Sequence, residues 1–239
     1  MSQIVLPFLL ALLLIAAVTS DSSSSESCED GSSNSGSGEG HQGHHHHHHH
    51  GNGGNGNGNG NGNNRGCSQG WKRFDRPDGG WCMRVLPATG VTYADAANGC
   101  VNQNSVLSGI QNPTEMSWIN QFASTNMNSN VGSLWIGLRR TAECLQSKLT
   151  ATCSKTTSFY WTDGSTSGTE GLSWLDGSQP DDALGGNQNC VLFFFATTNT
   201  TVNNYNWYPG ALDDVNCDTT GSGSLRLVQG YVCGMRASQ

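Results

Sequence analysis

Two clusters of oxygen-bearing side chains lie in the C-terminal half of this 239-residue sequence, each just upstream of a cysteine. Calcium in proteins takes about six to eight oxygen ligands from carboxylates, amides and carbonyls, so both clusters offer the chemistry that this ion needs. The alternative interpretation is that Asp and Asn act here as ordinary turn formers. The first cluster consists of Gln179, Pro180, Asp181, Asp182 and Gln188, and the second of Asp213 and Asp214.

The histidines argue against catalysis. All eight precede residue 51, at His41 and at His44 to His50, so the remainder of the chain has none. A Ser-His or Cys-His nucleophile therefore cannot form there, and zinc sites of the usual His-containing kind lack their ligands. The cysteines there are too widely spaced for a C-x-x-C redox centre. A carboxylate pair that hydrolyses a glycosidic bond is the remaining catalytic alternative, and we predict that the protein is not an enzyme.

The N-terminus predicts secretion. Residues 1–20 contain an apolar run from Ile4 to Val18, followed by small and acidic residues, which is typical of a cleaved signal peptide. The alternative, an uncleaved membrane anchor, needs a longer apolar span of about 18 to 20 residues. We therefore expect a secreted, extracellular protein without a membrane span, whose cysteines pair in an oxidising compartment.

Residues 21–64 are rich in Ser, Gly, Asn and His and contain almost no apolar side chains. Such a segment cannot bury enough surface to offset its backbone entropy, so we predict a disordered tail. Its histidine run could bind zinc, copper or nickel. The tail also holds Cys28, the one cysteine left over from an even set, which could link two chains in a disulfide dimer.

Residues 65–239 have the length of one domain and hold all the Trp and Tyr of the chain. They carry eleven basic and thirteen acidic side chains, a balance that argues against a nucleic-acid partner. An even number of cysteines in a secreted chain indicates a disulfide framework, whose connectivity the count alone leaves open. The eight are Cys67, Cys82, Cys100, Cys144, Cys153, Cys190, Cys217 and Cys233.

Helical patterns come early in this domain. One helix is predicted over Tyr93 to Asn102. A second helix is predicted over Pro113 to Ala123 and opens with Asn-Pro-Thr-Glu. In this motif Asn112 caps the helix, and the side chain of Glu115 reaches back to the backbone amide of the cap residue. Its predicted apolar stripe comprises Met116, Ile119, Gln121 and Phe122.

Strand patterns follow later, and no β-α-β alternation is present, which predicts an α+β domain with an antiparallel sheet. The connection from Asp163 to Asn189 shows little regular pattern, and so long a connection in a compact domain is usually functional. The predicted strands are Leu134 to Leu138, Phe159 to Thr162, Val191 to Ala196, Tyr205 to Tyr208 and Gly230 to Met235.

Five motifs occur in a fixed order between Cys67 and Met235. They are Leu134-Trp135-Ile136-Gly137-Leu138, Tyr160-Trp161-Thr162-Asp163-Gly164, Trp174 followed by Gln179-Pro180-Asp181, Cys190-Val191, and Tyr231-Val232-Cys233. In this order they resemble the C-type lectin-like domain family, and the low-complexity leader looks like that of secreted nematode proteins of this kind. The resemblance implies a C-type lectin-like fold, with two helices, antiparallel sheets and a long loop region stapled by disulfides.

The resemblance also implies how the cysteines pair. Cys100 joins Cys233, Cys190 joins Cys217, and Cys67 joins Cys82 across an N-terminal hairpin. Cys144 and Cys153 then remain and would form the fourth disulfide. Apart from the resemblance, Asn199 begins an N-glycosylation sequon, Asn-Thr-Thr, in a polar loop after a strand.

In this family the two oxygen-bearing clusters correspond to the primary calcium site, where sugar hydroxyls complete the ion's ligand shell. The implied metal and carbohydrate ligands are Gln179, Asp181, Gln188, Asp213 and Asp214, with Pro180 following a cis peptide bond. Gln-Pro-Asp resembles the galactose-type motif. Gln188 and the Leu212-Asp213-Asp214 run depart from the family's usual Glu and Trp-Asn-Asp, and no aromatic residue follows Asp182 as a sugar platform.

The resemblance thus predicts a secreted, calcium-dependent carbohydrate-binding protein of galactose type, with glycans or glycoproteins as partners and a role in innate defence. Two alternatives remain. One is a lectin-like module that binds a protein partner without calcium, and the other is a metal-sequestering protein that works through its histidine tail.

Overall fold

The computed structural model describes residues 64–202, 204–221 and 223–239. The predicted signal peptide over residues 1–20, Cys28, the histidine run and nearly all of the predicted tail over residues 21–64 lie outside the described residues. Among the described residues, no helix is long and apolar enough to cross a membrane.

The described chain is an α+β domain with ten strands and two long helices, together with two short helices and a 3-10 turn at Ala142–Cys144. In chain order the elements are β1 (Lys72–Arg76), β2 (Gly79–Pro87), α1 (Tyr93–Val101), β3 (Val106–Leu107), α2 (Pro113–Asn126), β4 (Val131–Arg140), β5 (Phe159–Trp161), α3 (Ala183–Gly186), β6 (Cys190–Ala196), β7 (Thr200–Val202), β8 (Tyr205–Trp207), β9 (Leu212–Val215), α4 (Gly223–Arg226) and β10 (Val228–Arg236).

One sheet runs in the order β1-β2-β10-β4-β6-β9, with β3 paired to β10 and β5 to β4. All of these pairings are antiparallel except the parallel pair of β10 with β4. Strands β7 and β8 form a separate hairpin. The α+β class predicted from the sequence is therefore confirmed.

The pattern-based prediction that strands follow the helices missed the first hairpin, whereas the N-terminal hairpin that the family resemblance implies, bridged by Cys67 and Cys82, is confirmed. Strands β1 and β2 precede α1 and are joined by a tight turn through Pro77, Asp78 and Gly79, the last with φ of 124°. Pro and Asp followed by Gly form such turns because Gly adopts positive φ without strain. The charged sequence of β1, Lys-Arg-Phe-Asp-Arg, hides the alternation that marks a strand.

Helix α2 begins where the sequence predicts and ends three residues later. The side chain of Asn112 accepts hydrogen bonds from the amides of Thr114 and Glu115, as a cap does. Two details of the prediction were wrong. Glu115 accepts from the Gln111 amide at 2.8 Å instead of returning to the cap residue, and Gln121 is exposed, because Ala123 completes the buried face instead.

The core lies between α2 and the central strands β4 and β6, and every residue of β6 is buried. Gly137 on β4 is required by this packing, since a Cβ there would stand 2.2 Å from the carbonyl oxygen of Leu107. Four disulfides staple the domain, and they are the pairs that the family resemblance implies. They join Cys67 to Cys82, Cys100 to Cys233, Cys144 to Cys153 and Cys190 to Cys217.

A buried ionic network locks the first hairpin onto this core. Arg76 of β1 donates to both carboxylate oxygens of Glu115 at 2.8 Å and to Asp163 at 3.0 Å, and all three side chains are at most 1% exposed. The guanidinium also lies over the ring of Trp81, 4.7 Å from its centroid. The network ties β1, α2 and the start of the long loop together.

Candidate functional site

The long connection between β5 and β6 carries the first predicted ligand cluster and lies against β9, which carries the second. The Gln179-Pro180 peptide bond is cis, as the resemblance implies. Beyond it, Asp182 adopts a left-handed conformation with φ of 44°, and its carboxylate accepts from the Gln188 amide at 3.0 Å. This bond closes the segment from Asp182 to Gln188 into a short loop that contains α3.

Asp214 anchors this loop to the sheet. It lies on β9 opposite Val191 of β6 and is fully buried. Its Oδ1 accepts from the amide of Asp181 at 3.1 Å, and its Oδ2 accepts from the amide of Asp182 at 3.0 Å. Burial raises the pKa of the Asp214 carboxyl, and these amides together with Arg140 oppose that rise. Both carboxylate oxygens of Asp214 therefore already have donors.

Arg140, the last residue of β4, supplies a further donor to Asp214. Its Nη2 donates to Asp214 Oδ2 and lies 3.8 Å from Asp182 Oδ1. Its Nε donates to the carbonyl of Gln188 at 2.9 Å, and its Nη1 donates to the carbonyl of Ser147 at 3.0 Å. The side chain is fully buried. Sequence reasoning missed Arg140, because nothing in the sequence distinguishes it from its exposed neighbour Arg139.

Asp213, the neighbour of Asp214, is in the opposite situation. Its side chain is 2% exposed, yet neither carboxylate oxygen accepts a hydrogen bond within the described chain. Nη2 of Arg226 lies 2.8 Å from Oδ2 without meeting the angles of a hydrogen bond. Because Arg226 is 42% exposed, it compensates Asp213 less than the buried Arg140 compensates Asp214.

The pKa of Asp213 reflects this imbalance. The pKa of its carboxyl is raised to about 7: burial raises it most, Arg226 lowers it, and the nearby carboxylates of Asp214, Asp181 and Asp176 add to the rise. A positive charge placed beside Asp213 would relieve both the burial and the repulsion.

Two predicted amide ligands share this lack of donors. The Oε1 atoms of Gln179 and Gln188 are buried and accept no hydrogen bond in the part of the chain that the structure describes. Buried polar atoms are nearly always paired, so an unpaired group of acceptors marks a position for a cation or for an external donor. Thr141 and Asn189 each have one further buried oxygen without a donor.

The donor set fits calcium in part. Gln179, Gln188 and Asp213 present buried oxygens that lack partners, while Asp181 is half-buried on the same loop. Asp214 fits less well, because three donors already engage it. No group of three His, Cys, Asp or Glu side chains within the described ranges is arranged to hold a metal, so calcium would depend on the two glutamine amides.

A cavity of about 390 Å³ lies beside the loop. One wall comes from the loop stapled by Cys144 and Cys153, and the other from the loop that Asp182 closes. No aromatic side chain lines this cavity, consistent with the missing aromatic platform in the sequence. The lining residues are Gln146, Lys148, Asp182, Ala183, Gly185 and Gly186.

The predicted glycosylation residue, Asn199, is exposed immediately before strand β7.

Known proteins resemble this chain in sequence and in structure. The alpha subunit of the snaclec bitiscetin from Bitis arietans is 31% identical over 100 residues, which are 42% of this chain and 65% of that protein. The chain thus spans slightly less than two thirds of the length of this relative.

Two solved structures illustrate the structural resemblance. The cow C-type carbohydrate-recognition domain of CD23, determined in the presence of a GlcNAc2Man3 oligosaccharide, is 20% identical, with a TM-score of 0.46, and the match covers 72% of this chain and 98% of that one. A calcium-independent type II antifreeze protein is 19% identical, with a TM-score of 0.43, over 72% and 95% of the two chains.

A family model describes the same region more specifically. It matches residues 73–236, which include all ten strands except the first residue of β1, both long helices and the whole candidate site. The chain belongs to the family of C-type lectin domain-containing protein 141/158, and its described domain is C-type lectin-like.

Proposed function

We propose that this protein binds glycans through the loop between Gln179 and Gln188 together with Asp213, and that calcium assists the binding. The observation that carries the proposal is the group of buried oxygens without donors on Gln179, Gln188 and Asp213. Sugar hydroxyls supply donors, and calcium supplies positive charge beyond what the exposed Arg226 gives Asp213. Both would relieve unpaired acceptors that are costly to keep buried.

Each residue has a distinct role in this proposal. Gln179, Asp181, Gln188 and Asp213 would hold calcium through their side-chain oxygens. Asp214 holds the loop through the amides of Asp181 and Asp182, and Arg140 pairs with that carboxylate. When bound, calcium supplies the charge that draws sugar hydroxyl oxygens to the loop.

The motif and the residues around the loop bear on which sugar it would select. Gln-Pro-Asp supports a galactose-type preference, whereas the absence of an aromatic platform removes one contact that galactose would use. The polar cavity next to the loop is lined by Lys148 and Gln146, which would contact a second sugar unit bound there. We therefore propose a glycan longer than one residue as the ligand.

The test is binding of the purified protein to a panel of immobilised glycans, in calcium and again in chelator. An Asp181→Ala, Asp213→Asn double variant should lose the binding, because it removes two calcium-binding carboxylates. Asp218→Ala is the matched control, since Asp218 is exposed and its carboxylate makes no hydrogen bond within the described chain. Binding that survives both chelation and the double variant would refute the proposal.

A second candidate is recognition of a protein partner without calcium. Arg140 favours it, because a side chain of this protein already supplies the cation that pairs with Asp214. This candidate would be favoured if the protein bound no glycan in either buffer while its disulfides and thermal unfolding remained native.

The proposal includes the protein's processing and setting. We propose that residues 1–20 are removed on secretion, that residues 21–64 form a tail before a domain over 65–239, and that Asn199 carries a glycan. Innate defence is the proposed setting, and Cys28 would join two chains. Mass spectrometry of the secreted protein tests these points together: the mature chain should begin near Asp21, lose mass on treatment with a glycosidase, and halve in mass on reduction.

A further inference from the structure

We infer that the Arg140 guanidinium takes the place of calcium in ordering the loop from Asp181 to Gln188. Because Arg140 pairs with Asp214, Asp214 is not a calcium ligand. The guanidinium of Arg140 joins several separate segments of the chain. Arg140 ends β4 and contacts β9 through Asp214, the closed loop through the Gln188 carbonyl, and the stapled loop through the Ser147 carbonyl. Its packing over the ring of Phe159, 4.6 Å from the centroid, fixes the plane of the guanidinium.

The charges show why the loop needs a cation. A buried carboxylate without a compensating charge is costly, and Asp214 is fully buried. Arg140 is equally buried and makes a direct ion pair with it, while the Asp182 carboxylate stands 3.8 Å from the same nitrogen. One fixed positive charge therefore serves two carboxylates that hold the loop closed.

The two adjacent aspartates then have different tasks. Asp214 receives three donors, from Arg140 and from the amides of Asp181 and Asp182. Asp213 receives none within the described chain. Three donors occupy three of the roughly four acceptor positions of the Asp214 carboxylate, so Asp214 serves as a loop anchor and Asp213 as the carboxylate that remains open to a ligand.

A consequence for calcium follows, and it rests on the proposed function. In a site where calcium bridges a loop to a strand, removal of the ion releases the loop. Here the bridge is Arg140, so removal of calcium should leave the loop in place. Calcium binding would then use Gln179, Asp181, Gln188 and Asp213 and proceed without a disorder-to-order transition.

Hydrogen exchange of backbone amides, followed by mass spectrometry on the full secreted chain, tests the inference. The informative amides are those of Asp181, Asp182 and Gln188, which donate to Asp214 and Asp182. In the natural protein their exchange should be equally slow in calcium and in chelator. In Arg140→Met, exchange in chelator should be at least about tenfold faster, because opening of the loop no longer breaks the ion pair.

The matched control is Arg139→Met, which removes an exposed guanidinium from the preceding residue and should leave these amides unchanged. Calcium should slow exchange again in Arg140→Met, because loss of the guanidinium opens one acceptor position on Asp214 Oδ2 to the ion while the two loop amides still donate to this carboxylate. Should Arg140→Met fail to fold, Arg140→Lys keeps the charge without the forked geometry, and its amides should exchange faster than those of the natural protein.

Two results would overturn the inference. One is loop amides of the natural protein that exchange at least about tenfold faster in chelator than in calcium, since the ion would then order the loop. The other is unchanged exchange in Arg140→Met. The measurement uses no glycan, so a failure here is distinct from a failure of the glycan-binding proposal, which the panel reports separately.

Discussion

Replacement of Asp213 by Asn should make the domain more stable in neutral, calcium-free buffer. The carboxyl has an ordinary pKa of 3.8 when exposed and a pKa of about 7 in the folded protein. A raised carboxyl pKa means that the folded state resists ionisation. The folded domain therefore loses stability as the pH rises from about 4, and the loss is complete above about 7.

The size of the effect follows from the shift. Each unit corresponds to about 1.4 kcal/mol, so a shift of roughly three units corresponds to about 4 kcal/mol at pH 8. We treat this figure as an upper bound, because relaxation and water entry reduce the penalty of a buried charge. Asn has the same shape and no charge, so Asp213→Asn removes the penalty at high pH and changes little at pH 4.

Urea denaturation in chelator, with the disulfides intact, measures this difference. The variant's advantage in free energy of unfolding should grow by at least about 1 kcal/mol, and by up to about 4 kcal/mol, between pH 4 and pH 8. Asp218→Asn, at an exposed position, should show no such growth. An advantage of Asp213→Asn that does not depend on pH would refute the view that Asp213 is a buried carboxylate without adequate compensation.

Three further predictions concern stability, and all are read from thermal or urea unfolding. Arg76→Met should lower the free energy of unfolding by about 3 to 5 kcal/mol, because it leaves the buried carboxylates of Glu115 and Asp163 unpaired; Arg236→Met, which breaks an exposed pair, should cost less than about 1 kcal/mol. The pKa of Asp163 lies below its usual value through hydrogen bonds from Thr166 and Ser165 and the charge of Arg76, which outweigh burial. The stability that it contributes is therefore present above about pH 4 and lost as the pH falls through the folded pKa, and Asp163→Asn should remove that acid-dependent loss. Gly137→Ala should destabilise by about 1 to 3 kcal/mol, since its methyl group would collide with backbone; no measurable change would contradict the close packing of β4.

Local signals in the sequence predicted much of the fold. The Asn112 cap and the proline after it determined where α2 begins, and apolar runs located β4, β6 and β10. Residue patterns missed the first hairpin, which only the family resemblance implied, because β1 is charged and the pairing of β2 with β10 is long-range. Glu115 illustrates the same limit: a capping pattern predicted a local role, whereas a buried arginine 39 residues away determines where its carboxylate goes.

The candidate site was predictable in its residues and less so in their roles. The five residues implied as ligands by the resemblance do lie on the loop and on β9, but nothing in the sequence indicates that Asp214 receives three donors and Asp213 none within the described chain. That difference depends on Arg140, which becomes a neighbour of Asp214 only when β6 pairs with β4 on one side and with β9 on the other. Burial of a particular arginine follows from tertiary packing, and a sequence pattern does not show it.

The most direct test of the glycan and calcium proposal is calorimetric titration of calcium into the purified full-length protein, compared with its Asp213→Asn and Asp218→Asn variants. We predict that the natural protein and Asp218→Asn bind calcium and that Asp213→Asn does not, because Asp213 is the buried carboxylate without donors. Equal calcium binding by all three proteins, or none by the natural protein, would contradict the role assigned to these oxygens.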